Sequence, residues 1–450
     1  MLDRGNLHGY QEEAVKFIQD QGTCALFLGL GSGKTISTLT AYGELLDDFA
    51  INKVLLICPL RVAQTVWDAE AQEWEHTKHL RFSKILGSTK ERVKALSVDA
   101  EFYVINRENI MWLVDYLGGT KGKWVFDAIV IDESSSFKNP TSKRFRALKK
   151  VAKFSPYRTL LTATPNSNSY MDLWSQFYLV DGGGRLGWNI TAYRNSYFDA
   201  DYMGWGYNLK RGAMKEIQDR ITDKVISASY KDLPPSSSIV MESPLKGKLF
   251  KQYIEFEKEA LLQMGGGDEI NAVNAAVKTG KLLQFASGAV YGEEDDYGHK
   301  PVHHFHDLKL DMIDEIMEFN PDENLIVVYQ YKHELARLLK KYPQGQTIAK
   351  DGSTIGEWQA GKVPLLFIHP QSASHGIQLQ KGGHIMIFMG FTWSLEYYLQ
   401  VKGRIDRQGQ TNPCQFIHLA CGRVEHKLMQ KLAQKNISQQ ELLDALGGLE

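Results

Sequence analysis

The 450-residue sequence lacks a long apolar segment and is poor in cysteine. Its apolar runs all fall short of the roughly 18 residues that a membrane helix needs, and the first residues, MLDRGNLHGYQEEAVKF, contain no apolar signal-peptide core. The four cysteines are widely separated and form no CxxC pair, so we expect reduced thiols with neither disulfides nor zinc. These features predict a cytoplasmic protein with no membrane partner.

Net charge is also nearly absent: 52 Lys and Arg stand against 53 Asp and Glu, and the formal charge is −1. The overall balance therefore does not indicate a nucleic-acid-binding protein, although a local basic face would suffice for binding. One acid-free run is basic, and it suits either a solvated helix face or such a binding face. It contains Lys138, Lys143, Arg144, Arg146, Lys149, Lys150, Lys153 and Arg158.

Short apolar runs alternate with helical patterns in the first 180 residues, and the alternation resumes after about residue 305. Strands that are apolar on both faces are typical of parallel sheets covered by helices. Residues 181–304 are mainly helical with glycine- and proline-rich breaks. We therefore predict an α/β chain with domains at 1–180 and 305–450 around a helical middle at 181–304. The predicted strands are 24–30, 54–60, 101–107, 128–134, 158–165, 324–330, 364–370, 384–390 and 415–421.

The stretch GLGSGKT (29–35) follows an apolar strand and precedes a helical pattern. Such a glycine-rich turn lets backbone N–H groups converge on phosphate at a helix amino terminus. Lys34 is expected to reach the outer phosphates of a nucleotide and Thr35 to ligate Mg²⁺. Leu28 stands where the strict motif has glycine. The predicted nucleotide-binding residues of this loop are Gly31, Ser32, Gly33, Lys34 and Thr35.

The stretch IVIDESSSFKNP (129–140) ends an apolar strand in two adjacent carboxylates. Alone, it suits an ordinary strand end, where acidic residues meet solvent and a turn follows. With a phosphate loop upstream, a catalytic interpretation is favoured. Asp132 is then expected to hold Mg²⁺, and Glu133 to orient or deprotonate the hydrolytic water.

The stretch QVKGRIDRQGQ (400–410) places Arg404 and Arg407 three residues apart in a helix predicted over 395–408. On a helix they would share one face. Arginines delivered to a γ-phosphate stabilise the charge that develops in the transition state. Taken alone, residues 400–410 would equally suit an exposed amphipathic helix without a catalytic role.

The ordered set of motifs resembles the superfamily-two helicases, and specifically the Swi/Snf-like branch in its short phage-type form. The resemblance covers nearly the whole chain. It implies two RecA-like parallel-sheet domains with a mostly helical middle insertion, Mg²⁺ and ATP as cofactors, and DNA as partner. The stretches that carry it include LHGYQ (7–11), GLGSGKT (29–35), CPLRVAQTVWDAE (58–70), IDESSSFKN (131–139), LLTATP (160–165), SASHGIQLQKGGH (372–384) and residues 400–410.

The resemblance also implies roles for individual residues. Gln11 is expected to contact adenine, and Gly376 to lie at the nucleotide. Ser135, which stands where many relatives have histidine, is expected to couple hydrolysis to DNA grip together with Thr162 and Thr164. Gln378 replaces a common asparagine. The implied DNA-backbone contacts are Arg61, Arg107, Lys138, Asn139, Ser372, Ser374 and Trp393.

The predicted function is an ATP-dependent DNA helicase or translocase that remodels forked or branched DNA, including branch migration, in the host cytoplasm if the protein is phage-encoded. Three alternatives stay open: a double-strand translocase that does not separate strands, a nucleotide-dependent switch or scaffold, and an RNA motor. The aromatic segment 193–207, centred on Trp205, suits a small local core better than a base-stacking tip. The sequence assigns no protein partner.

Overall fold

A computed structural model describes residues 1–200, 206–228, 233–262, 272–295, 300–349, 351–373 and 377–446. The chain forms two compact units: Met1–Lys231 together with Lys435–Glu450, and Asp232–Gln434. Each unit contains its own large parallel sheet, which confirms the predicted α/β class with two parallel-sheet domains. Within the described ranges, every helix is too short or too polar to cross a membrane.

The described part of the first unit is built on a seven-stranded, wholly parallel sheet in the order β3-β4-β2-β5-β6-β1-β9. A separate antiparallel pair joins β7 to β8. The strands are β1 (Thr23–Leu28), β2 (Val54–Cys58), β3 (Phe82–Ile85), β4 (Phe102–Asn106), β5 (Ala128–Asp132), β6 (Tyr157–Leu161), β7 (Phe198–Ala200), β8 (Tyr207–Leu209) and β9 (Val225–Ala228).

Helices cover both faces of this sheet, and the side chains of β2 show why its sequence is continuously apolar. Leu55 and Ile57 pack into one hydrophobic cluster, whereas Val54 and Leu56 pack into another. A strand buried on both faces has no polar alternation. The helices are α1 (Gly9–Gln21), α2 (Lys34–Asp47), α3 (Leu60–Thr65), α4 (Trp67–Glu73), α5 (Thr89–Leu96), α6 (Ile110–Tyr116), α7 (Lys143–Val151), α8 (Leu173–Asp181), α9 (Ile190–Tyr197) and α10 (Ala213–Ile221).

The second unit contains, in its described part, a six-stranded parallel sheet in the order β10-β17-β16-β13-β15-β14, and an antiparallel pair of β11 with β12. The four central strands of the large sheet match the predicted ones. The strands are β10 (Ser237–Glu242), β11 (Ala289–Tyr291), β12 (Val302–His304), β13 (Leu325–Val328), β14 (Gln346–Thr347), β15 (Leu365–Ile368), β16 (Ile385–Phe388) and β17 (Gln415–Ala420).

One predicted helix of the second unit is shorter than expected. Instead of running over 395–408, it ends at Lys402, and Gly403 caps its carboxyl end. The prediction that Arg404 and Arg407 share a helical face is therefore wrong: both lie in the turns that follow. The helices of this unit are α11 (Gly247–Leu262), α12 (Ala272–Ala286), α13 (Leu308–Phe319), α14 (Lys332–Lys341), α15 (Ser353–Gln359), α16 (Pro370–Ala373), α17 (Leu395–Lys402) and α18 (Arg423–Leu446).

The described part of the middle region contains six strands beside its four helices, and the region is divided between the units. Residues 181–231 belong to the first unit and supply β9 to its sheet, whereas residues 232–304 belong to the second unit and supply β10. Helix α18 is also divided, because its residues from Lys435 onward group with the first unit. The sequence-based boundaries at 180 and 304 stay predictions about functional domains.

Candidate functional site

The phosphate loop occupies the turn between the end of β1 at Leu28 and the start of α2 at Lys34. Gly31 and Gly33 have φ angles of 75° and 70°, a left-handed conformation that glycine adopts without strain. A Cβ atom on Gly33 would lie 2.1 Å from the Nε2 atom of Gln11, so the Gln11 side chain would have to move. Among the described side chains, none caps the amino terminus of α2. A helix amino terminus of this kind favours an anion.

The side chain of Lys34 folds back over the phosphate loop, where two backbone carbonyl groups bind its ammonium group. Its Nζ donates hydrogen bonds to the carbonyl oxygens of Leu28, at 2.9 Å, and Gly29, at 2.8 Å. The same ammonium is close enough to Asp132 to lower the pKa of that carboxyl group. Lys34 thus stands between the loop and the acidic end of β5, where a phosphate-binding cation is useful.

Asp132 is the last residue of β5, and its Oδ2 accepts a hydrogen bond of 3.2 Å from Nε1 of Trp67. Burial raises the pKa of Asp132 above its ordinary value, while the charge of Lys34 and the indole of Trp67 oppose the rise. A buried carboxylate of this kind suits a divalent cation, which would favour the ionised form. The position of Asp132 therefore fits the expected magnesium ligand.

Glu133 adopts a left-handed backbone conformation, with φ 54° and ψ 58°. For a residue with a Cβ atom this conformation costs on the order of 1–2 kcal/mol. It ends β5 abruptly and begins a 3-10 turn over Ser134–Phe137. Strain of this kind concentrates at functional sites, because the surrounding structure must enforce it.

Gln11, the residue expected to contact adenine, is buried against the phosphate loop. Its Nε2 donates to the carbonyl oxygen of Ser32 at 3.3 Å, and its Oε1 accepts from the N–H of His8 at 2.8 Å. Helix α1 is thereby tied to the loop through one side chain. An adenine contact for Gln11 stays a prediction.

Buried polar side chains link the segment after β5 to the segment after β6. Ser134 donates from Oγ to Oε1 of Gln176 at 2.8 Å, and Nε2 of Gln176 donates to the carbonyl oxygen of Pro165 at 2.7 Å. Close by, the N–H of Thr164 donates to Oγ1 of Thr162 at 3.0 Å. Sequence reasoning singled out Ser135, Thr162 and Thr164 but missed Ser134 and Gln176.

The DNA-contact candidates of the first unit all follow carboxyl ends of neighbouring strands, which places them along one edge of the sheet. Arg61 follows β2, Arg107 follows β4, and Lys138 and Asn139 follow β5. Several of these side chains have polar partners. Arg107 pairs with Glu108 at 3.0 Å, Nζ of Lys138 donates to Oγ of Ser167 at 2.7 Å, and Oδ1 of Asn139 accepts from Thr141.

The remaining candidates belong to the second unit. Arg404 is buried, and its Nη1 donates to the carbonyl oxygen of Ile377 at 3.2 Å. Arg407 follows in the next turn and is partly buried. Ser372 donates to the carbonyl oxygen of His369 at 2.9 Å, and Trp393 is 43% exposed. Ser374 and Gly376 lie outside the described residues, as does Trp205 of the aromatic segment.

A glycine-rich loop between a buried strand and a helix, with a carboxylate pair at the end of a strand two positions away in the sheet, defines an α/β protein of the phosphate-loop class. Residues 10–283 match the SNF2-related domain, and the chain belongs to this family.

Relatives occur in phage and in eukaryotes. Protein p41 of Acyrthosiphon pisum secondary endosymbiont phage 1 is 36% identical, over 97% of this chain and 98% of p41. The CHD3-type chromatin-remodeling factor PICKLE of Arabidopsis thaliana is 22% identical over 98% of this chain, which spans 36% of that longer protein. Among solved structures, a Sulfolobus solfataricus SWI2/SNF2 ATPase core in complex with dsDNA is 20% identical with a TM-score of 0.46, covering 99% of this chain and 97% of that one.

Proposed function

We propose that the protein is an ATP-dependent DNA motor that remodels forked or branched DNA. The observation that carries the proposal is the arrangement of Lys34, Asp132 and Glu133 at the carboxyl edge of the first sheet in a member of the SNF2-related family. The same edge carries the basic side chains that we expect to contact DNA. The proposed nucleotide chemistry and DNA contacts would thus share one sheet, which favours coupling between them.

The nucleotide site uses this chain's residues in distinct roles. Lys34 and the first N–H groups of α2 would hold the outer phosphates, and Gln11 would contact the adenine. Thr35 and Asp132 would hold the magnesium ion. Magnesium-bound ATP supplies the phosphoanhydride whose hydrolysis releases the energy for movement. Glu133 orients the attacking water and accepts its proton on a carboxylate oxygen.

Two arginines of the second unit complete the proposed chemistry. Arg404 and Arg407 supply positive charge to the γ-phosphate as charge develops there. Ser135, Thr162 and Thr164 lie just beyond the ends of β5 and β6 and respond to the nucleotide state. The hydrogen bonds from Ser134 through Gln176 to Pro165 give those two segments a direct connection for this response.

DNA is the polymer along which we propose that the motor moves. Arg61, Arg107, Lys138 and Asn139 would contact phosphates without reading sequence, so binding would weaken as salt rises. Ser372, Ser374 and Trp393 would contribute from the second unit. The chromatin-remodeling name of the relative PICKLE supports a DNA-linked partner, and the match to a whole phage protein supports a phage-type setting.

Two assays on purified protein separate remodelling from simple translocation. Strand release from labelled forked and four-way DNA reports remodelling, and displacement of a third strand from a linear triplex reports movement along a duplex. We expect ATP-dependent activity in both, with none in the Lys34→Ala variant. Triplex displacement without release from branched DNA would leave only a duplex translocase. Inactivity in both assays would overturn the motor function.

A further inference from the structure

The basic residues of the acid-free run from Lys138 to Arg158 have different surroundings in the structure. Arg158 donates to the carbonyl oxygens of Val180, Ala152 and Ser155, so it is a structural residue. The Nζ atom of Lys149 lies 3.9 Å from the ring centre of Tyr178 and 5.6 Å from the ring centre of Trp174. Both are therefore already engaged within the unit.

Four other members form a single exposed stripe along α7 and the turn after it: Lys143, Arg146, Lys150 and Lys153. Their spacings of three, four and three residues place them on one helical face. The opposite face of α7 carries Phe145, Leu148 and Val151, all buried in the core. Packing therefore fixes which way the basic face points. Within the described ranges none of the four forms an ion pair, and Nζ of Lys153 lies 5.1 Å from the ring centre of its exposed neighbour Phe154.

The stripe continues from the sheet edge that carries the expected DNA contacts. Helix α7 begins at Lys143, four residues after Asn139, one of the expected contacts beyond the carboxyl end of β5. Burial and the positive charge of Arg107, which follows β4 at the same edge, both lower the pKa of Arg144 on the flank of α7. From Lys143 to Lys153 the stripe extends about 15 Å away from that edge, at a rise of about 1.5 Å per residue.

A chain of contacts connects Lys149, which lies beside the stripe, to the residue before an exposed tryptophan. Trp174, which contacts Lys149, donates from Nε1 to the carbonyl oxygen of Gly187 at 2.9 Å. The next residue, Trp188, is 74% exposed. A stripe of four exposed cations suits nucleic acid, because the backbone phosphates pair with the cations.

We infer that Lys143, Arg146, Lys150 and Lys153 form a second DNA-backbone site, which holds a DNA arm beyond the contacts expected at the sheet edge. This inference rests on the proposed DNA-motor function. A protein that remodels branched DNA must hold more than one arm, and a stripe leading away from the sheet edge provides a separate surface for one. Over about 15 Å a duplex presents roughly nine phosphates, more than enough for four contacts.

Binding to a four-way DNA junction over a series of salt concentrations tests the site. One variant replaces the four stripe residues by glutamine, and a second replaces the three lysines by arginine. A matched control replaces four exposed basic residues elsewhere in the first unit, Lys16, Lys78, Arg211 and Lys215, by glutamine. Each glutamine variant removes four positive charges, so both change the net charge equally.

Each phosphate contact contributes about 0.9 to the slope of log affinity against log salt. We expect the stripe variant to lose up to about 3.6 from the magnitude of this slope, while the control and the arginine variant keep it. Hydrolysis without DNA should be unchanged, because the stripe takes no part in the nucleotide site. Melting temperatures of all variants should match the wild type, since the replaced side chains are exposed.

Three outcomes would overturn the inference. Equal slopes in the stripe variant and the matched control would show that only net charge matters, and the DNA-motor function would survive. Competition by polyglutamate as strong as that by DNA would assign the stripe to an acidic protein partner. A wild-type protein that binds no junction at any salt concentration would remove the motor function itself, and the second site with it.

Discussion

The indole of Trp67 donates a hydrogen bond of 3.2 Å to Oδ2 of Asp132, although 65 residues separate the two in the chain. Trp67 is the first residue of α4 and is almost completely buried, so its ring is fixed by the core. The bond fixes one oxygen of the carboxylate that we expect to hold magnesium. We therefore predict that Trp67 is a positioning residue that acts through Asp132.

Replacing Trp67 by phenylalanine should weaken magnesium use and leave the fold intact. Loss of a group that orients a metal ligand costs about 10- to 100-fold in metal affinity or activity. We therefore expect the magnesium concentration for half-maximal ATP hydrolysis to rise by about that factor. Trp74→Phe is the matched control, because Trp74, which follows α4, is also buried but donates to Glu70 of that helix. The same magnesium dependence in both variants would refute the positioning role.

Lys34→Ala and Glu133→Gln should each abolish turnover while the protein stays folded. Removal of a general base lowers kcat by about 10²- to 10⁴-fold, and Glu133→Gln should still bind ATP because its shape is kept. Steady-state hydrolysis measures the loss of turnover, nucleotide binding measures the retained ATP affinity, and thermal melting checks that the fold is kept. Hydrolysis near the wild-type rate in either variant would show that the assigned residue is not part of the site.

Arg407→Ala should reduce hydrolysis far more than nucleotide affinity. An arginine that acts on the transition state contributes about 10³- to 10⁵-fold to kcat, whereas ground-state binding depends on it little. Single-turnover rates and nucleotide Kd values separate the two effects. Arg423→Ala, which removes an arginine packed over Phe250 in the same unit, serves as the control. Equal losses of rate and affinity would make Arg407 a binding residue.

His418 should make the protein less stable in mild acid. Its Nδ1 lies 3.2 Å from the carbonyl oxygen of Ile239, its Nε2 lies 3.1 Å from the hydroxyl of Tyr398, and its ring stacks on Phe388. Burial, together with the charge of Lys402, lowers the pKa of His418 to about 4. The unfolded imidazole takes up a proton below about pH 6.5. Stability contributed by the neutral ring is therefore present above pH 6.5 and lost as the pH falls toward 4.

Melting temperatures at pH 7.5 and pH 5.0 measure this effect. His418 should account for about 2 kcal/mol of the stability lost between them, since each pKa unit corresponds to about 1.4 kcal/mol. His418→Phe should therefore melt at a lower temperature at pH 7.5 but show a smaller further decrease at pH 5.0. His426→Phe, at a partly exposed histidine of the same unit, should keep the wild-type difference. An unchanged difference in His418→Phe would exclude this role.

The central strands were predictable because burial on both faces leaves an unbroken apolar signal. The predicted run at 54–60 corresponds to β2 at Val54–Cys58, and 384–390 to β16 at Ile385–Phe388. Edge strands gave no such signal. Strand β10 is mostly exposed, and its partner β17 lies far along the chain, so no local pattern indicates the pairing.

The candidate site was predictable only where its chemistry is local in sequence. Lys34 stands in a glycine-rich loop, and Asp132 and Glu133 end a buried strand, so residue types and order sufficed. The bonds from Trp67 to Asp132 and from Ser134 to Gln176 join residues 65 and 42 positions apart. Only packing reveals them. The predicted helix over 395–408 ran past Gly403, a residue of low helix propensity at which the helix ends.

Steady-state ATP hydrolysis, with and without nucleic acid, tests the central claim most directly. The reaction is run without nucleic acid and with single-stranded DNA, duplex DNA, forked or four-way DNA and RNA, each at two salt concentrations. We predict stimulation by DNA that is greatest with branched DNA and decreases as salt rises. A hydrolysis rate that no nucleic acid changes would contradict the motor function and leave a nucleotide-dependent switch.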